Sequence, residues 1–190
     1  MSLNRRQQRG FTLLELVIVI IIISALLAIA IDKLMKLQVT AERAAMESII
    51  GSLQSAIGMT ISEHIVENKI RDLDRLIQSN PMRLLADTPV NYLGEHTGTP
   101  KNLETGSWWY DRASHTLYYQ VKNREYFQTD GLEKDVLKLK VLPVYDDNNR
   151  NGRYDRSDTL RGLRLKPLAG FRWLNEPIDP AEFADSLKPG

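Results

Sequence analysis

After ten mostly polar residues, the chain has an apolar run, then a helical pattern and finally a strand-like pattern. Residues 11–31 contain only three polar side chains, those of Thr12, Glu15 and Ser24. A helix rises about 1.5 Å per residue, so this stretch is long enough to cross a bilayer core of about 30 Å. The pattern therefore predicts one transmembrane helix over residues 11–31.

Beyond this run, apolar side chains fall on one side of a helix. They recur at every fourth position, at Ile49, Leu53, Ile57, Ile61 and Ile65. This spacing is typical of an amphipathic helix that packs on a sheet. We expect an amphipathic helical region over residues 32–78, continuous with the first helix. A loop-rich connection over residues 79–106 follows, where prolines and glycines are frequent.

From residue 107 the period becomes two, as in strands. Residues 136–144 alternate apolar side chains with Lys138 and Lys140, which predicts a strand with one solvated face. We expect an antiparallel sheet over residues 107–175 and a weakly patterned tail over residues 176–190. Together these elements predict an α+β fold, in which a long N-terminal transmembrane and amphipathic helix packs on a C-terminal antiparallel β-sheet.

Charge predicts how the chain is oriented in a membrane. The chain has 25 basic and 24 acidic residues, and its first ten residues contain Arg5, Arg6 and Arg9 but no acid. Basic residues that flank a membrane helix stay in the cytoplasm. We therefore expect a single-pass protein of a bacterial inner membrane, with its C-terminal domain in the periplasm. The chain has no cysteine, which excludes a disulfide scaffold, a thiol nucleophile and thiolate metal ligands.

Three interpretations of the apolar run compete. A plain signal anchor explains its hydrophobicity and its basic flank. A secretory signal cleaved after Ala30 is compatible with the small residues Ala28 and Ala30. Neither has a use for Glu15, although a carboxylate inside an apolar span costs about 2.5–3.5 kcal/mol on insertion scales and is usually functional. The third interpretation is a processed precursor in which this acid has a role.

The residues around Glu15 form a recognisable motif. Residues 9–15 read Arg-Gly-Phe-Thr-Leu-Leu-Glu after a basic leader, and this resembles the cleavage and methylation motif of type IV pilins and type II secretion pseudopilins. The resemblance implies that residues 1–10 are a leader peptide, which prepilin peptidase removes by cutting between Gly10 and Phe11. It also implies that the new Phe11 amine is methylated and that Glu15, the fifth mature residue, acts in assembly.

Members of this family are structural subunits, so the resemblance predicts no enzyme. It implies a minor pilin or pseudopilin of a type IV pilus-like filament (a fimbrium), assembled from the inner membrane with other subunits and an assembly platform, its helix surrounded by membrane lipid. A minor pilin of mannose-sensitive haemagglutinin-type pili and a pseudopilin of type II secretion are both compatible. The alternative from a different class is a periplasmic calcium-stabilised binding protein that signal peptidase releases after Ala30.

The spacing of Phe11 and Glu15 has a physical reason. After cleavage, the Phe11 amine is a cation at the end of an apolar helix, and the Glu15 carboxylate lies one turn along. In a medium of low dielectric, leaving either charge unpaired is costly. We expect a neighbouring subunit, shifted along a filament axis, to bring its own Phe11 amine to Glu15 and so to set the register between subunits.

A polar segment between two predicted strands has the spacing of a calcium loop. Oxygen-bearing side chains occupy positions 1, 3, 5, 9 and 12 of this loop, glycine occupies position 6, and the backbone carbonyl of position 7 completes the set. The residues, within 147–158, are Asp147, Asn149, Asn151, Arg153 (through its carbonyl), Asp155 and Asp158. The sequence thus predicts calcium as a cofactor.

A polar turn is the alternative for this segment, since Asn, Asp and Gly are also the residues of turns. Position 12 lacks the bidentate Glu of EF-hands, and Arg150, Arg153 and Arg156 would repel a cation. The resemblance favours calcium, because related pseudopilins and some pilins stabilise a C-terminal loop with calcium where others use a disulfide.

Other residue groups predict little chemistry. His64, His96 and His115 are too scattered for a metal triad, and no nucleophile elbow, P-loop or dinucleotide fingerprint is present. Trp108 and Trp109 are adjacent, so we expect one in the core and the other against a loop or a neighbouring subunit. Five cations form one patch if their strands adjoin: Lys138, Lys140, Arg161, Arg164 and Lys166. We favour a solvated face there over contact with nucleic acid.

Overall fold

The computed structural model describes residues 11–178. The leader peptide with Gly10, and the tail from residue 179 onward, lie outside the described residues. The backbone divides into two compact units, Met1–Ala41 and Glu42–Gly190, and each is described by itself. We refer to the second unit as the head.

One long helix, α1, extends over Leu13–Val66. Within residues 11–178 it is the one helix that is long and apolar enough to cross a membrane, and none of its most apolar window is buried. Leu13, Ile21 and Ile31, for example, are all more than half exposed. A helical surface that is apolar all round and not covered by protein is typical of a membrane span.

The end of α1 lies at Val66, inside the segment that the pattern predicted to be helical through residue 78. Asn68 adopts a left-handed φ of 59°. The Lys69 N–H donates to the His64 carbonyl at 2.8 Å, and the Asn68 N–H donates to the Ile65 carbonyl at 3.1 Å. These two bonds form a Schellman motif, which ends a helix. Asn tolerates the left-handed region better than most residues do, so this local geometry overrides the apolar period.

Short elements connect α1 to the sheet. They are the 3-10 turn Ile70–Leu73, the one-turn helix α2 Asp74–Ile77 and the 3-10 turn Pro81–Leu84. Asn80 caps the last of these, because its side-chain oxygen accepts from the Met82 N–H at 3.0 Å. Pro81 occupies the first turn, where its missing N–H costs nothing.

Within residues 11–178, seven strands form two sheets. The strands are β1 Tyr92–His96, β2 Trp108–Asp111, β3 Thr116–Gln120, β4 Phe127–Thr129, β5 Val136–Asp146, β6 Thr159–Pro167 and β7 Phe171–Trp173. The main sheet has the order β1-β2-β3-β5-β6, and β4 pairs with β7 in a second sheet. β1 and β2 are parallel, and the other pairs are antiparallel.

The part of α1 that belongs to the head packs on the inner face of the main sheet. Met46, Leu53 and Ile57 are at most 3% exposed and share one core cluster with Trp108 and Leu139. Fully burying each such side chain contributes about 1.5–3 kcal/mol. The predicted α+β fold, a long N-terminal helix packed on a mostly antiparallel sheet, is thereby confirmed.

Two strands do not follow from the local pattern. β1 lies inside the segment 79–106 that we expected to be loop, and it pairs in parallel with β2. β7 pairs with β4 in a sheet of its own and does not extend the main sheet. β1 does not alternate strictly in burial, and it forms because β2 offers it backbone hydrogen bonds.

Both adjacent tryptophans are buried, although they point to opposite faces of the sheet. Trp108 lies in the core, 4.6 Å from the Tyr119 ring. Trp109, on the outer face, stacks on Tyr118 at 4.9 Å and is only 3% exposed. Trp109 therefore packs within the head itself and is not available as a stacking platform.

A carboxylate of α1 joins the helix to the end of β3. Glu42 Oε1 accepts from the Tyr119 hydroxyl at 2.9 Å and from the Lys122 N–H at 2.6 Å. Its Oε2 accepts from the Asn123 N–H at 2.9 Å and the Asn123 side-chain amide at 2.6 Å. Burial, and next the Glu42 charge, raise the pKa of Tyr119 far above its usual range, so the phenol stays a donor.

We predict that Glu42→Ala lowers the free energy of unfolding by about 1–3 kcal/mol, because it leaves several donors without an acceptor. The measurement is urea unfolding of the full chain in detergent micelles. Glu47→Ala is the matched control, since it removes only the exposed ion pair with Arg43 and should cost about 0.3–0.5 kcal/mol. Equal losses in the two variants would contradict the role of Glu42.

A buried carboxylate holds the turn between β2 and β3. Asp111 accepts hydrogen bonds from the amides of Gly98, Ala113 and Ser114 and from the Ser114 hydroxyl, at distances of 2.6–3.1 Å. Burial opposes its ionisation, but the bonds from Ser114 and the amides outweigh burial and lower the pKa of Asp111 to about 2.

The lowered pKa of Asp111 predicts an acid-sensitive contribution to stability. The contribution is complete above the unfolded pKa of about 3.9 and is lost as the pH falls toward the folded value near 2. Asp111→Asn should therefore flatten the dependence of the free energy of unfolding on pH between about 4 and 2. The exposed Asp87→Asn is the control and should leave that slope unchanged.

Candidate functional sites

The first turn of α1 places Glu15 with a local cap. The Thr12 hydroxyl oxygen accepts from the Glu15 N–H at 3.2 Å, and the Thr12 carbonyl accepts from the Leu16 N–H at 3.1 Å. Thr12 is thus the N-cap and Glu15 the third helical residue, the spacing of a capping box. The Thr-x-x-Glu pattern in the sequence is sufficient to predict this cap.

The Glu15 carboxylate itself has no hydrogen bond or ion pair within residues 11–178. Its neighbours Leu13, Leu14 and Leu16 are each more than half exposed, so none of the described residues covers it. A negative charge is favoured near a helix N-terminus, but an apolar surrounding makes an unpaired one costly. The geometry therefore leaves Glu15 available to a partner outside this chain.

Only half of the predicted cleavage site can be placed. Gly10 lies outside the described residues, whereas Phe11 precedes α1 and is 78% exposed. A cut before Phe11 would put a new amine one turn from Glu15, as the sequence predicted. The predicted roles of Gly10 in cleavage, Phe11 in methylation and Glu15 in assembly stay predictions.

The segment 147–158 connects β5 to β6 and turns its predicted ligands toward its own backbone. Asp147 accepts from the N–H groups of Asn151 and Gly152 at 3.1 and 2.8 Å. The Asn149 side-chain oxygen accepts from the Asn151 N–H at 3.0 Å, and the Asn151 oxygen accepts from the Arg153 N–H at 2.7 Å. Gly152 has a φ of 73°, which glycine adopts without strain.

Asp155 is the point at which the two halves of this loop meet. The side-chain amides of Asn149 and Asn151 both donate to its Oδ2, at 2.8 and 2.7 Å. Its Oδ1 accepts from the Ser157 N–H at 2.8 Å and the Ser157 hydroxyl at 2.6 Å. The bonds from Ser157, followed by those from the two asparagines, hold the pKa of Asp155 far below its usual range. Ser157 was not among the predicted residues.

Asp158 closes the loop from its other end. Its Oδ1 accepts from the Asn148 N–H at 3.0 Å, and its Oδ2 accepts from the Asp155 N–H at 2.9 Å. Tyr154 ties the loop to the rest of the head, because its hydroxyl donates to Asp74 of α2 and its ring packs 5.1 Å from Tyr145.

The oxygen ligands that the loop can offer are of the kind that a hard cation binds. Asp147, Asn149, Asn151 and Asp155 are brought together, and each can present oxygen. The two amides that donate to Asp155 place partial positive charge at this carboxylate, where a cation would replace them. Rotating an amide by 180° exchanges its nitrogen for its oxygen. Arg150, Arg153 and Arg156 are exposed and do not fill the loop.

The charged side chains of the loop do not by themselves form a metal-binding cluster. Among residues 11–178, no three His, Cys, Asp or Glu side chains come together as a metal-binding group. A cation in this loop would depend on amide and backbone oxygens as well as on carboxylates, which is the ligand set that calcium accepts.

Comparison with known proteins agrees with the N-terminal geometry. Residues 5–31 match the prokaryotic N-terminal methylation motif, and this range covers the three leader arginines, the predicted cut site, Glu15 and the apolar run. No curated protein and no solved structure matches the chain.

The chain is therefore a type IV pilin- or pseudopilin-like protein. More narrowly, it is a precursor of the kind that prepilin peptidase processes and that assembles with other pilin subunits. Its exposed apolar helix is compatible with anchoring in a membrane, and the motif indicates a structural subunit.

Proposed function

We propose that the chain is a minor pilin or pseudopilin that assembles from the bacterial inner membrane into a type IV pilus-like filament. The observation that carries this proposal is the Glu15 carboxylate, which lies within the matched methylation motif in the first turn of an exposed apolar helix and has no partner among residues 11–178. The basic leader favours an orientation in which the head is periplasmic.

Glu15 would act by selecting register between subunits. The carboxylate is at the first turn of α1 and the freed Phe11 amine is one residue before the cap. A neighbour displaced along the filament can place its amine against Glu15, and the low dielectric penalises every register in which either charge stays unpaired. Such a pair specifies alignment more than it adds net stability.

We predict that Glu15→Ala leaves cleavage and methylation intact but reduces incorporation into sheared filaments at least tenfold, because subunits lose the charge that aligns them. Ser24→Ala is the matched control, because it removes an uncharged polar group of the same span, a hydroxyl that donates to the Ile20 carbonyl at 2.8 Å. Intact mass reports processing, and quantitative immunoblotting of filament fractions reports incorporation.

Wild-type incorporation of Glu15→Ala would contradict the role of Glu15. Intact mass also tests the proposed class. A mature chain that starts at methylated Phe11 supports the filament subunit, whereas a chain that starts at Ile31 supports a periplasmic protein released by signal peptidase.

A pseudopilin of type II secretion is the alternative within the same class. Trp108 and Trp109 are both buried, so they supply no exposed adhesive surface that would favour a pilus. Immunogold labelling of sheared surface pili tests this choice, because a pseudopilus subunit would be absent from them.

We propose in addition that the 147–158 loop binds calcium. Support comes from the oxygen set of Asp147, Asn149, Asn151, Asp155 and Asp158 and the carbonyl of Arg153. The bound cation would take over the positive role that the two asparagine amides have at Asp155. It would stabilise the head by linking both halves of a long strand connection.

We predict that calcium raises the melting temperature of the full chain in micelles by about 5–10 °C at about 100 times its Kd. Asp147→Ala and Asp155→Asn should abolish this response. Asn148→Ala is the control, because Asn148 holds the loop through Ser157 and Thr159 but occupies no ligand position. Equal melting temperatures of the wild type in calcium and in chelator would remove the site.

A further inference from the structure

The outer face of the main sheet gathers four cations on two neighbouring strands. Lys138 and Lys140 of β5 alternate with the core residues Leu137 and Leu139, so their side chains point away from the core. Arg164 and Lys166 of β6 do the same. Lys140 lies directly opposite Lys166 in the ladder, and like charges at that position are unfavourable.

Little within residues 11–178 neutralises this face. Lys138 pairs with Glu133 at 2.8 Å, and Lys140 donates to the Ser114 carbonyl at 3.0 Å. Arg164 and Lys166 are exposed and have no ion pair in the described part of the chain. Arg161, the fifth cation of the predicted patch, is paired with Asp146 and does not contribute.

Two exposed leucines stand on adjacent loops beside these cations. Leu132 is 99% exposed and Leu168 is 50% exposed. Their loops are joined, because the Asp130 N–H donates to the Gly170 carbonyl at 3.0 Å. The Leu168 N–H donates to the carbonyl of Lys138 at 2.9 Å, which connects the loops to the basic strand. Single exposed leucines are ordinary, but these two stand on loops that are bonded to each other and to the strand that carries Lys138.

We propose that this surface, the basic-leucine face, docks on an anionic phospholipid bilayer. It is defined by Lys138, Lys140, Arg164, Lys166, Leu132 and Leu168. The cations attract anionic head groups, and each strengthens binding about fivefold. The leucine tips enter the interface between head groups and acyl chains, as the apolar side chains of surface-bound helices do.

Other occupants use only part of this face. A nucleic acid or an acidic protein would engage the cations but leave the leucines in water. A second copy in a two-fold contact would bring the same four cations against themselves. Anionic lipid matches both the charge and the apolar tips, so it is the occupant to which the face is best suited.

The absence of cysteine makes the test direct, since one introduced cysteine carries a dye at a known place. The full chain with Leu132→Cys carries a polarity-sensitive dye in liposomes of phosphatidylcholine alone or with phosphatidylglycerol. We expect a blue shift only in the liposomes with phosphatidylglycerol. Val90→Cys is the matched control, because Val90 is equally exposed but lies outside the face and should show no shift.

Charge variants make the result specific. In the Leu132→Cys background, Lys140→Gln together with Lys166→Gln should lower the bound-to-free ratio about 25-fold, whereas Arg75→Gln with Lys101→Gln should leave it unchanged. Leu168→Ser should also weaken docking. Each variant is first shown to keep the wild-type circular dichroism spectrum and melting temperature.

Several results would overturn the proposal. They are equal shifts at positions 132 and 90, equal shifts with and without phosphatidylglycerol, or a Lys140/Lys166 variant that docks as well as wild type. A face that binds a short oligonucleotide or a second copy but gives no bilayer response would also overturn it. None of these readouts requires a filament, so failure here is distinguishable from failure of the proposed assembly function.

Discussion

The packing of Met46, Leu53 and Ile57 against the main sheet removes the apolar stripe of α1 from water. The arrangement of the rest of the head depends on this contact. The inner residues of β2, β3, β5 and β6 form the opposite wall of the same core. The outer face is thereby left to Tyr118, the lysines and Arg164. The Glu42 bonds to the end of β3 add direction to this apolar contact, because hydrogen bonds, unlike burial, depend on geometry.

Two glutamates on the one helix show how surroundings decide the role of a side chain. Glu42 has four donors from the head and acts structurally. Glu15 has none within the described residues and stands among exposed apolar side chains. A carboxylate in an apolar setting must find a cation or remain costly. The molecule therefore holds one acid that its own fold satisfies and another that has no partner among the described residues.

The oxygen ligands of the head and the cations of its outer face lie in different places. The loop after β5 supplies oxygen groups that converge on Asp155, while the outer face of β5 and β6 supplies cations. These surfaces differ because strand alternation places lysines together on one side of a sheet, whereas a long connection can fold its oxygens inward. One strand, β5, thus contributes to both the candidate calcium loop and the basic-leucine face.

The sequence by itself determined the membrane-compatible helix, the motif around Gly10, Phe11 and Glu15, the α+β class and the oxygen spacing of the 147–158 loop. These features depend on periodicity and on neighbouring residues, which a linear pattern contains. Only the tertiary structure decided that β1 joins the main sheet and that β7 pairs with β4 in a separate one. It also decided that Trp109 is buried and that Lys140 lies opposite Lys166. Each of these depends on which distant strands pair, and the free energy of such pairing comes from partners that no local window includes.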